Sequence, residues 1–169
     1  GFLNDFSGAE DSFNCALATW RTMMRDSGDP MMKKEMAALI GNLANLYYLR
    51  GEYDRSLDAQ QQAIRYLDEV IDETAPADLV NMQARLYFNV AVTCFGMRRL
   101  EPAVENALKS VRIREDLVIG KHRLEFIESL VQSYSNTAMM YEASDRSQNA
   151  LDYYDKAVTL IGSSTVDSG

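Results

Sequence analysis

The sequence predicts an all-α protein built from antiparallel helix pairs, and three observations support this fold class. The 169 residues include only three prolines and nine glycines, so long uninterrupted helices are permitted. No stretch alternates polar and apolar residues with a period of two between turn dipeptides, so strands are not indicated. Sliding the sequence along itself by 47 residues brings similar residues into register, which indicates a repeated helical unit.

The 47-residue repeat divides the chain into similar parts. The coinciding sets are Asn42, Asn89 and Asn136; Ala44, Ala91 and Ala138; Leu57, Val104 and Leu151; and Ile64, Val111 and Val158. We expect residues 1–28 to form the second helix of a partial or capping repeat. Three full repeats are predicted over residues 29–75, 76–122 and 123–161, followed by a disordered tail over residues 162–169, which are polar and without periodicity.

Each full repeat is predicted to contain two helices and a tight turn. Pro30, Pro76 and Pro102 each precede an apolar-periodic run, where a proline starts a helix without losing a hydrogen bond. First helices are expected over residues 30–50, 77–99 and 121–143, and the last second helix over residues 147–161. In the first full repeat the turn falls at Gly51 and Glu52, and the small residues Ala44 and Ser56 predict a close approach of its two helices.

The stretch from Asn42 to Leu57, followed by Ala63 and Ile64, resembles the tetratricopeptide repeat family. The later repeats depart from the family pattern, with Arg98 and Asp145 where it prefers a turn glycine. The period is about 13 residues longer than the family's usual unit of about 34. Residues 107–122 are similar to the longer repeats of kinesin light chains. The resemblance implies a right-handed α-solenoid whose first helices line its concave face.

A stripe of polar and aromatic residues is predicted to follow the inner face of the first helices. Its predicted peptide-binding residues are Asn42, Asn45, Tyr48, Arg85, Phe88, Asn89, Gln132, Asn136 and Met139. A carboxamide offers a donor and an acceptor, so the repeated asparagine can pair with the main chain of an extended peptide. The resemblance to kinesin light chains implies the same role. The alternative is that each asparagine bonds the adjacent repeat and fixes the stacking of the helix pairs.

Charge bears on the class of partner. The net charge of −8 disfavours nucleic acid as a ligand. The predicted first helices hold eight basic against five acidic residues, so the inner layer would be less acidic than the rest and would favour an acidic or neutral peptide. The alternative is that many of these basic residues lie at helix ends beside loops.

Catalytic, metal and cofactor chemistry finds no support in the sequence. His122 is the one histidine, so a histidine metal cluster and a Ser-His-Asp triad are not indicated, and no glycine-rich phosphate loop is present. We expect Cys15 and Cys94 to be inert, and two cysteines suit a reducing, cytoplasmic location. No apolar stretch approaches the length of a membrane span. The chain is therefore expected to be neither an enzyme nor a membrane-inserted protein, and to bind no cofactor.

Two functions remain from different classes. The first is a protein–protein interaction module, an adaptor or scaffold that binds an extended peptide in the concave groove through an asparagine ladder. The alternative is a structural module that forms a homodimer or larger homo-oligomer through exposed solenoid ends. The last helix suggests this alternative because Leu151, Tyr154, Val158 and Ile161 have no following helix to cover them.

Overall fold

The computed structural model describes the backbone of residues 2–27 and 29–166, and the side chains of residues 8, 10–20, 22, 29 and 31–162. Within these residues the chain is helical and has no strand. The helices are α1 (Phe2–Ser27), α2 (Pro30–Leu49), α3 (Tyr53–Asp68), α4 (Ala77–Gly96), α5 (Leu100–Glu115), α6 (Ile127–Ala143) and α7 (Ser147–Val166). A π-helical turn (Asp116–Gly120) and a 3-10 turn (Leu124–Phe126) lie between α5 and α6. The chain forms two compact units, Gly1–Leu79 and Val80–Gly169.

The first unit contains an antiparallel pair made by α2 and α3. Asp29 caps α2 by accepting a 2.9 Å hydrogen bond from the Met31 amide, and Pro30 occupies the first turn. The Tyr48 and Tyr53 rings contact each other across the turn in a tilted arrangement, and further along the pair Ser56 donates to the Ala44 carbonyl. Residues that contact each other are farther apart in the sequence the farther they lie from the turn, which is the pattern of an antiparallel helix pair. The buried core includes Met36, Ile40, Ala44, Ala63 and Leu67, to which α1 contributes Leu17.

The second unit contains two further helix pairs. Between α4 and α5, Lys109 lies over the Tyr87 ring at 5.3 Å, and Arg114 bonds to Asn81. Between α6 and α7, the Tyr141 and Tyr153 rings lie 5.6 Å apart. The core of this unit is again made of small and aliphatic side chains. Its members include Ala84, Leu86, Ala91, Cys94, Ala103, Val111, Leu130 and Ala138.

The turns inside the three helix pairs share one backbone geometry. Gly51, Arg98 and Asp145 all have positive φ, at 74°, 59° and 59°. At each turn two hydrogen bonds close the end of the first helix in the Schellman pattern. These bonds are Gly51 to Tyr48 (2.9 Å) and Glu52 to Tyr47 (2.9 Å); Arg98 to Phe95 (3.0 Å) and Arg99 to Cys94 (2.9 Å); and Asp145 to Glu142 (3.1 Å) and Arg146 to Tyr141 (3.0 Å). The 47-residue period therefore extends to the backbone, although two turns lack glycine.

Two predicted boundaries differ from the structure. Helix α6 begins at Ile127 rather than at residue 121, because the Arg123 amide donates to the Leu117 carbonyl at 2.9 Å and His122 has a positive φ of 52°. Helix α7 continues to Val166, so residues 162–166 are helical where the sequence predicted a disordered tail. No proline interrupts this segment, and the helical hydrogen bonds continue through it. The rest of the predicted tail, residues 167–169, lies outside the described residues.

Candidate functional site

Helix α2 carries the predicted site residues of the first unit. Asn42 and Asn45 are exposed, and Tyr48 is half-buried with its ring 5.5 Å from that of Tyr53. Successive spacings of three residues keep these side chains on neighbouring parts of one helix face. The helix therefore presents two carboxamides and an aromatic ring together.

Helix α4 carries the second group of predicted site residues. Arg85 is exposed, while Phe88 and Asn89 are half-buried. Asn89 lies one helical turn beyond Arg85, so a guanidinium and a carboxamide occupy the same face. The Asn89 backbone carbonyl accepts a 2.9 Å hydrogen bond from the Thr93 hydroxyl.

Helix α6 carries the third group, in which Gln132 and Met139 are exposed and Asn136 is half-buried. The Asn136 Nδ2 donates a 2.9 Å hydrogen bond to the Gln132 carbonyl of the same helix. The bond is therefore internal to α6 and does not connect Asn136 to the adjacent repeat. In the described part of the chain no donor contacts the Asn136 Oδ1, so its acceptor stays accessible beside an exposed methionine.

Arg114 is a buried cation that the sequence-based site did not include. Arg114 lies in the last turn of α5, and only 4% of its surface is exposed. The Nε donates to the Asn81 Oδ1 of α4 at 3.3 Å, and the Nη1 donates to the Ser129 carbonyl of α6 at 3.1 Å and to the Ser133 hydroxyl. One guanidinium therefore connects three helices, two of which carry predicted site residues.

The electrostatic surroundings of Arg114 are unfavourable to its charge. Burial and, to a smaller extent, the positive charge of Arg85 together lower the pKa of Arg114 to about 10. The group stays protonated at neutral pH, so a buried charge lies near a second cation. Arg114 continues the helical spacing of the buried residues Ala107 and Val111, and a charged residue in this apolar register was the one sequence signal that could have identified it.

The observed helix bounds change the charge of the predicted inner layer. Five of the eight basic residues counted there lie outside the first helices, namely Arg50, Arg98, Arg99, Lys121 and Arg123. The observed α2, α4 and α6 hold three basic residues (Lys33, Lys34 and Arg85) and four acidic residues (Glu35, Asp78, Glu128 and Glu142). The excess of basic residues expected in the first helices is not found, because those five residues lie in turns and loops, and α2, α4 and α6 together carry a net charge of −1. Any preference for an acidic ligand must arise locally.

A polar cluster in the first unit connects α1 to the α2–α3 pair. The Glu10 carboxylate accepts from Arg50 Nη1 and Arg55 Nη2, each at 2.6 Å, and from the Tyr47 hydroxyl at 3.3 Å. Arg55 also lies 4.0 Å from the Tyr47 ring centroid. Hydrogen bonds from Arg55 and Arg50 hold the pKa of Glu10 below its ordinary value, and burial raises the pKa of Tyr47. The cluster therefore holds α1 against the α2–α3 pair and has a structural role.

Two described clefts lie away from the predicted site residues. One, of about 690 Å³, is lined by residues of α1, α2 and α3, including Leu17, Leu43 and Arg55. The other, of about 640 Å³, is lined by residues that include Glu115, Tyr134 and Lys156. None of the nine predicted binding residues lines either cleft. Neither of these two clefts is therefore the predicted binding site.

No group of three or more His, Cys, Asp or Glu side chains in the described ranges is placed to hold a metal ion. His122 is exposed in the loop before α6. Cys94 is buried, and Cys15 is exposed on α1. Among the described helices, none combines the length and the apolar character needed to cross a membrane.

Two segments of the chain match models of the tetratricopeptide repeat family, one over residues 36–67 and the other over residues 131–163. The first match falls on the repeat where the sequence resemblance is most specific. The second covers most of α6 and most of α7, although the turn there has Asp145 in place of glycine. The predicted recognition of tetratricopeptide repeats is confirmed. A comparison with curated protein sequences finds no match.

Solved structures of similar fold cover nearly the whole chain. BtubC (BKLC) from P. vanneervenii is 17% identical with a TM-score of 0.76, and the match covers 96% of this chain and 59% of BtubC. A MamA protein is 18% identical with a TM-score of 0.56, covering 94% of this chain and 84% of that one. The chain thus spans less than two thirds of BtubC. These likenesses confirm the predicted all-α repeat fold.

Proposed function

We propose that this chain, which contains tetratricopeptide repeats over residues 36–67 and 131–163, is a protein–protein interaction module that binds an extended peptide of a partner. Such repeats generally mediate interactions between proteins. The finer part of the proposal is that the first helices α2, α4 and α6 provide the binding face, in the concave groove that the family resemblance implies.

The observation that carries the proposal is the environment of Asn136. Its Oδ1 accepts no hydrogen bond from the described residues, and it lies between the exposed Gln132 and Met139 on one face of α6. A half-buried carboxamide with an accessible acceptor is suited to receive a main-chain N–H from a peptide. Met139, at 51% exposed, offers an adaptable apolar contact beside it.

Asn89 on α4 and Asn42 on α2 occupy the equivalent positions in the other repeats. Each is accompanied by an aromatic side chain that is partly accessible, Phe88 on α4 and Tyr48 on α2. The proposed ladder uses each asparagine to hold one main-chain position, while the aromatic residues contact peptide side chains. Because main-chain bonds do not read sequence, specificity would come from the flanking side chains.

The test compares two asparagines that make the same bond within their own helices. Asn136 donates to the carbonyl four residues earlier, and Asn106 on α5 does the same to Pro102 at 2.8 Å. Short synthetic peptides would first be selected against the wild-type chain from an unbiased library. Asn136→Ala should then weaken binding about tenfold, and Asn106→Ala should leave it unchanged.

Calorimetry would give the affinities, and circular dichroism would show that both variants stay folded. An equal loss of affinity in the two variants would show a general effect of removing a helix-bound amide. If both Asn136→Ala and Asn89→Ala bind the selected peptides with unchanged affinity, the proposed asparagine ladder is wrong.

Self-association is the second candidate, and the exposed face of α7 favours it. Leu151, Val158 and Ile161 are 56%, 68% and 48% exposed and share one face. Tyr154, which was expected to join this stripe, is half-buried and donates to Glu142 at 3.4 Å. Sedimentation velocity over a wide concentration range would test this function. Self-association predicts a dimer that forms as the concentration rises and that Val158→Glu dissociates. A protein that stays monomeric at every concentration would exclude this function.

A further inference from the structure

We infer that the cleft between α5, α6 and α7 docks a segment of a partner protein that presents a lysine or arginine side chain beside an apolar side chain. The cleft has a volume of about 640 Å³, and its lining includes Glu115, Ile119 and Asp155. None of the nine predicted peptide-binding residues lines it. This docking site is therefore separate from the asparagine ladder and goes beyond the proposed function.

A groove of the same kind recurs in the first unit, where residues of α1, α2 and α3 line the cleft of about 690 Å³. Asp58 lines that cleft and Asp152 lines the cleft of the second unit, and these two residues are two periods of 47 residues apart. The stacking of helix pairs therefore produces the groove in both units. Only the side chains of each groove can select an occupant.

The two grooves differ in charge. The first is lined by two arginines and one aspartate, which give it an excess of positive charge. The second is lined by three carboxylates and one ammonium, from Glu115, Asp152, Asp155 and Lys156. In the described part of the chain, neither Asp152 nor Asp155 forms an ion pair. A cationic segment therefore complements the second groove and is disfavoured by the first.

The second cleft already binds one alkylammonium group, which belongs to the chain itself. The Lys156 Nζ lies 3.1 Å from the Glu115 Oε1. The same nitrogen lies 5.4 Å from the centroid of the Tyr134 ring and 4.9 Å from that of the Tyr153 ring. Aromatic faces and a carboxylate together attract ammonium and guanidinium ions. The contacts of Lys156 therefore show that the walls of the cleft suit a cation.

Glu115 retains acceptor capacity for a second cation. The Tyr134 hydroxyl, at 2.8 Å, and the Lys156 ammonium both donate to its Oε1. No donor among the described residues contacts its Oε2, and the side chain is 29% exposed. Because a carboxylate accepts bonds at both oxygens, an incoming ammonium or guanidinium can bind Oε2 while Lys156 stays in place.

The apolar wall and the length of the cleft favour a protein segment over a small cation. Ile119, in the π-helical turn, is 58% exposed, and Leu160 of α7 lines the same cleft. The lining residues of α7 extend from Asp152 to Leu160, which is about 12 Å along the helix. This arrangement fits a segment whose basic and apolar side chains lie about one helical turn apart.

The decisive variant combines Asp152→Asn with Asp155→Asn, which removes the two carboxylates that have no ion pair. Its control combines Asp58→Asn with Glu105→Gln, because both residues are exposed, lie outside this cleft and change the net charge equally. Circular dichroism would show that both double variants stay folded.

A second pair of variants tests the apolar wall. Ile119→Ser removes the exposed isoleucine from the cleft. Leu124→Ser is the matched control, because Leu124 is also 58% exposed and lies between α5 and α6 but does not line the cleft.

The first measurement uses hexylammonium, which joins a cation to an apolar chain, and hexanol as its neutral counterpart. The amide resonances of Ile119 and Thr159 report binding. Hexylammonium should bind the wild type saturably and about tenfold more tightly than hexanol. The double asparagine variant should lose this preference and its control should keep it, while Ile119→Ser should weaken both probes and Leu124→Ser neither. Equal affinities of the two probes for the wild type, or no saturable shift, would overturn the site.

The second measurement uses two short amphipathic peptides, one of lysine, leucine and alanine and the other with glutamate in place of every lysine. The lysine peptide should displace hexylammonium from the wild type but not from the double asparagine variant. Equal displacement by the glutamate peptide would overturn the assignment to a basic partner. Asn136→Ala should leave the affinity for the lysine peptide unchanged. A loss of affinity there would place the peptide on the asparagine-bearing face and overturn the separate docking site.

Discussion

The Ser56 hydroxyl on α3 donates a 2.8 Å hydrogen bond to the backbone carbonyl of Ala44 on α2. Both residues are fully buried, and the Gln60 Nε2 donates in turn to the Ser56 Oγ at 3.2 Å. A side chain larger than serine would separate the two helices at this point. The later repeats have alanine at the positions equivalent to Ser56, namely Ala103 and Ala150, so the small size recurs while the hydroxyl does not.

The first prediction separates size from hydrogen bonding at residue 56. Ser56→Ala should lower the free energy of unfolding by about 1 to 2 kcal/mol, because the two buried hydrogen bonds of the hydroxyl are lost while the fit is kept. Ser56→Val should cost about 1 to 3 kcal/mol more than Ser56→Ala, because the added methyl groups overpack the helix contact. Urea denaturation of both variants measures the difference. A valine variant as stable as the alanine variant would show that the helices do not require a small residue here.

The helix pairs could be predicted from the sequence because each pair depends on local patterns that recur every 47 residues. Ser56 and Ala44 were identified by size and register, and their contact confirms the expected close approach. The start of α6 could not be predicted in this way. It depends on the bond between the Arg123 amide and the Leu117 carbonyl, which sets the loop before the helix.

The same distinction applies to the candidate site. Helical periodicity correctly placed Asn42 and Asn45 on one exposed face of α2, because that placement depends only on spacing. The surroundings of Arg114 depend on Asn81 and Ser133, which are 33 and 19 residues away in the sequence. No local sequence pattern carries information about such contacts, so the interaction of Arg114 with Arg85 could not be predicted from the sequence.

The second prediction concerns the left-handed turn residue Arg98. Its φ of 59° is costly for a residue with a Cβ and free of that cost for glycine. After allowing for glycine's larger loss of chain entropy, Arg98→Gly should raise the free energy of unfolding by about 0.5 to 1 kcal/mol. Thermal unfolding should show a higher midpoint. An unchanged or lower midpoint would indicate that the Arg98 side chain contributes to stability in some other way.

The third prediction is the reverse change at the equivalent residue Gly51. A Cβ built there meets no atom within 4 Å, so Gly51→Ala should be destabilising through its φ of 74° alone. The expected loss is about 1 kcal/mol. A D-alanine at this position, introduced by chemical ligation, should restore stability because it favours positive φ. Equal stability of the two alanine epimers would contradict the assignment of the loss to backbone conformation.

The fourth prediction is a pH dependence that arises from Glu10. Hydrogen bonds from Arg55 and Arg50 lower its pKa in the folded chain, so the carboxylate stabilises the fold above its unfolded pKa, and this contribution is lost as the pH falls through the folded pKa. Between about pH 5 and pH 3 the wild type should lose more stability than Glu10→Gln. Denaturation midpoints across this range measure the difference. Parallel pH profiles would show that Glu10 makes no charged contact in solution.

The fifth prediction concerns the stability cost of the two cations on the candidate site. The Arg85 charge acts unfavourably on Arg114, so Arg85→Gln should stabilise the chain slightly, by about 0.3 kcal/mol at low ionic strength. The gain should disappear in about 1 M salt, where the exposed Arg85 charge is largely screened. Arg112→Gln provides the control for the change in net charge and should show no such gain. If Arg85→Gln instead destabilises the chain at low salt, Arg85 has a stabilising partner in solution, and its charge is not a net cost to the fold.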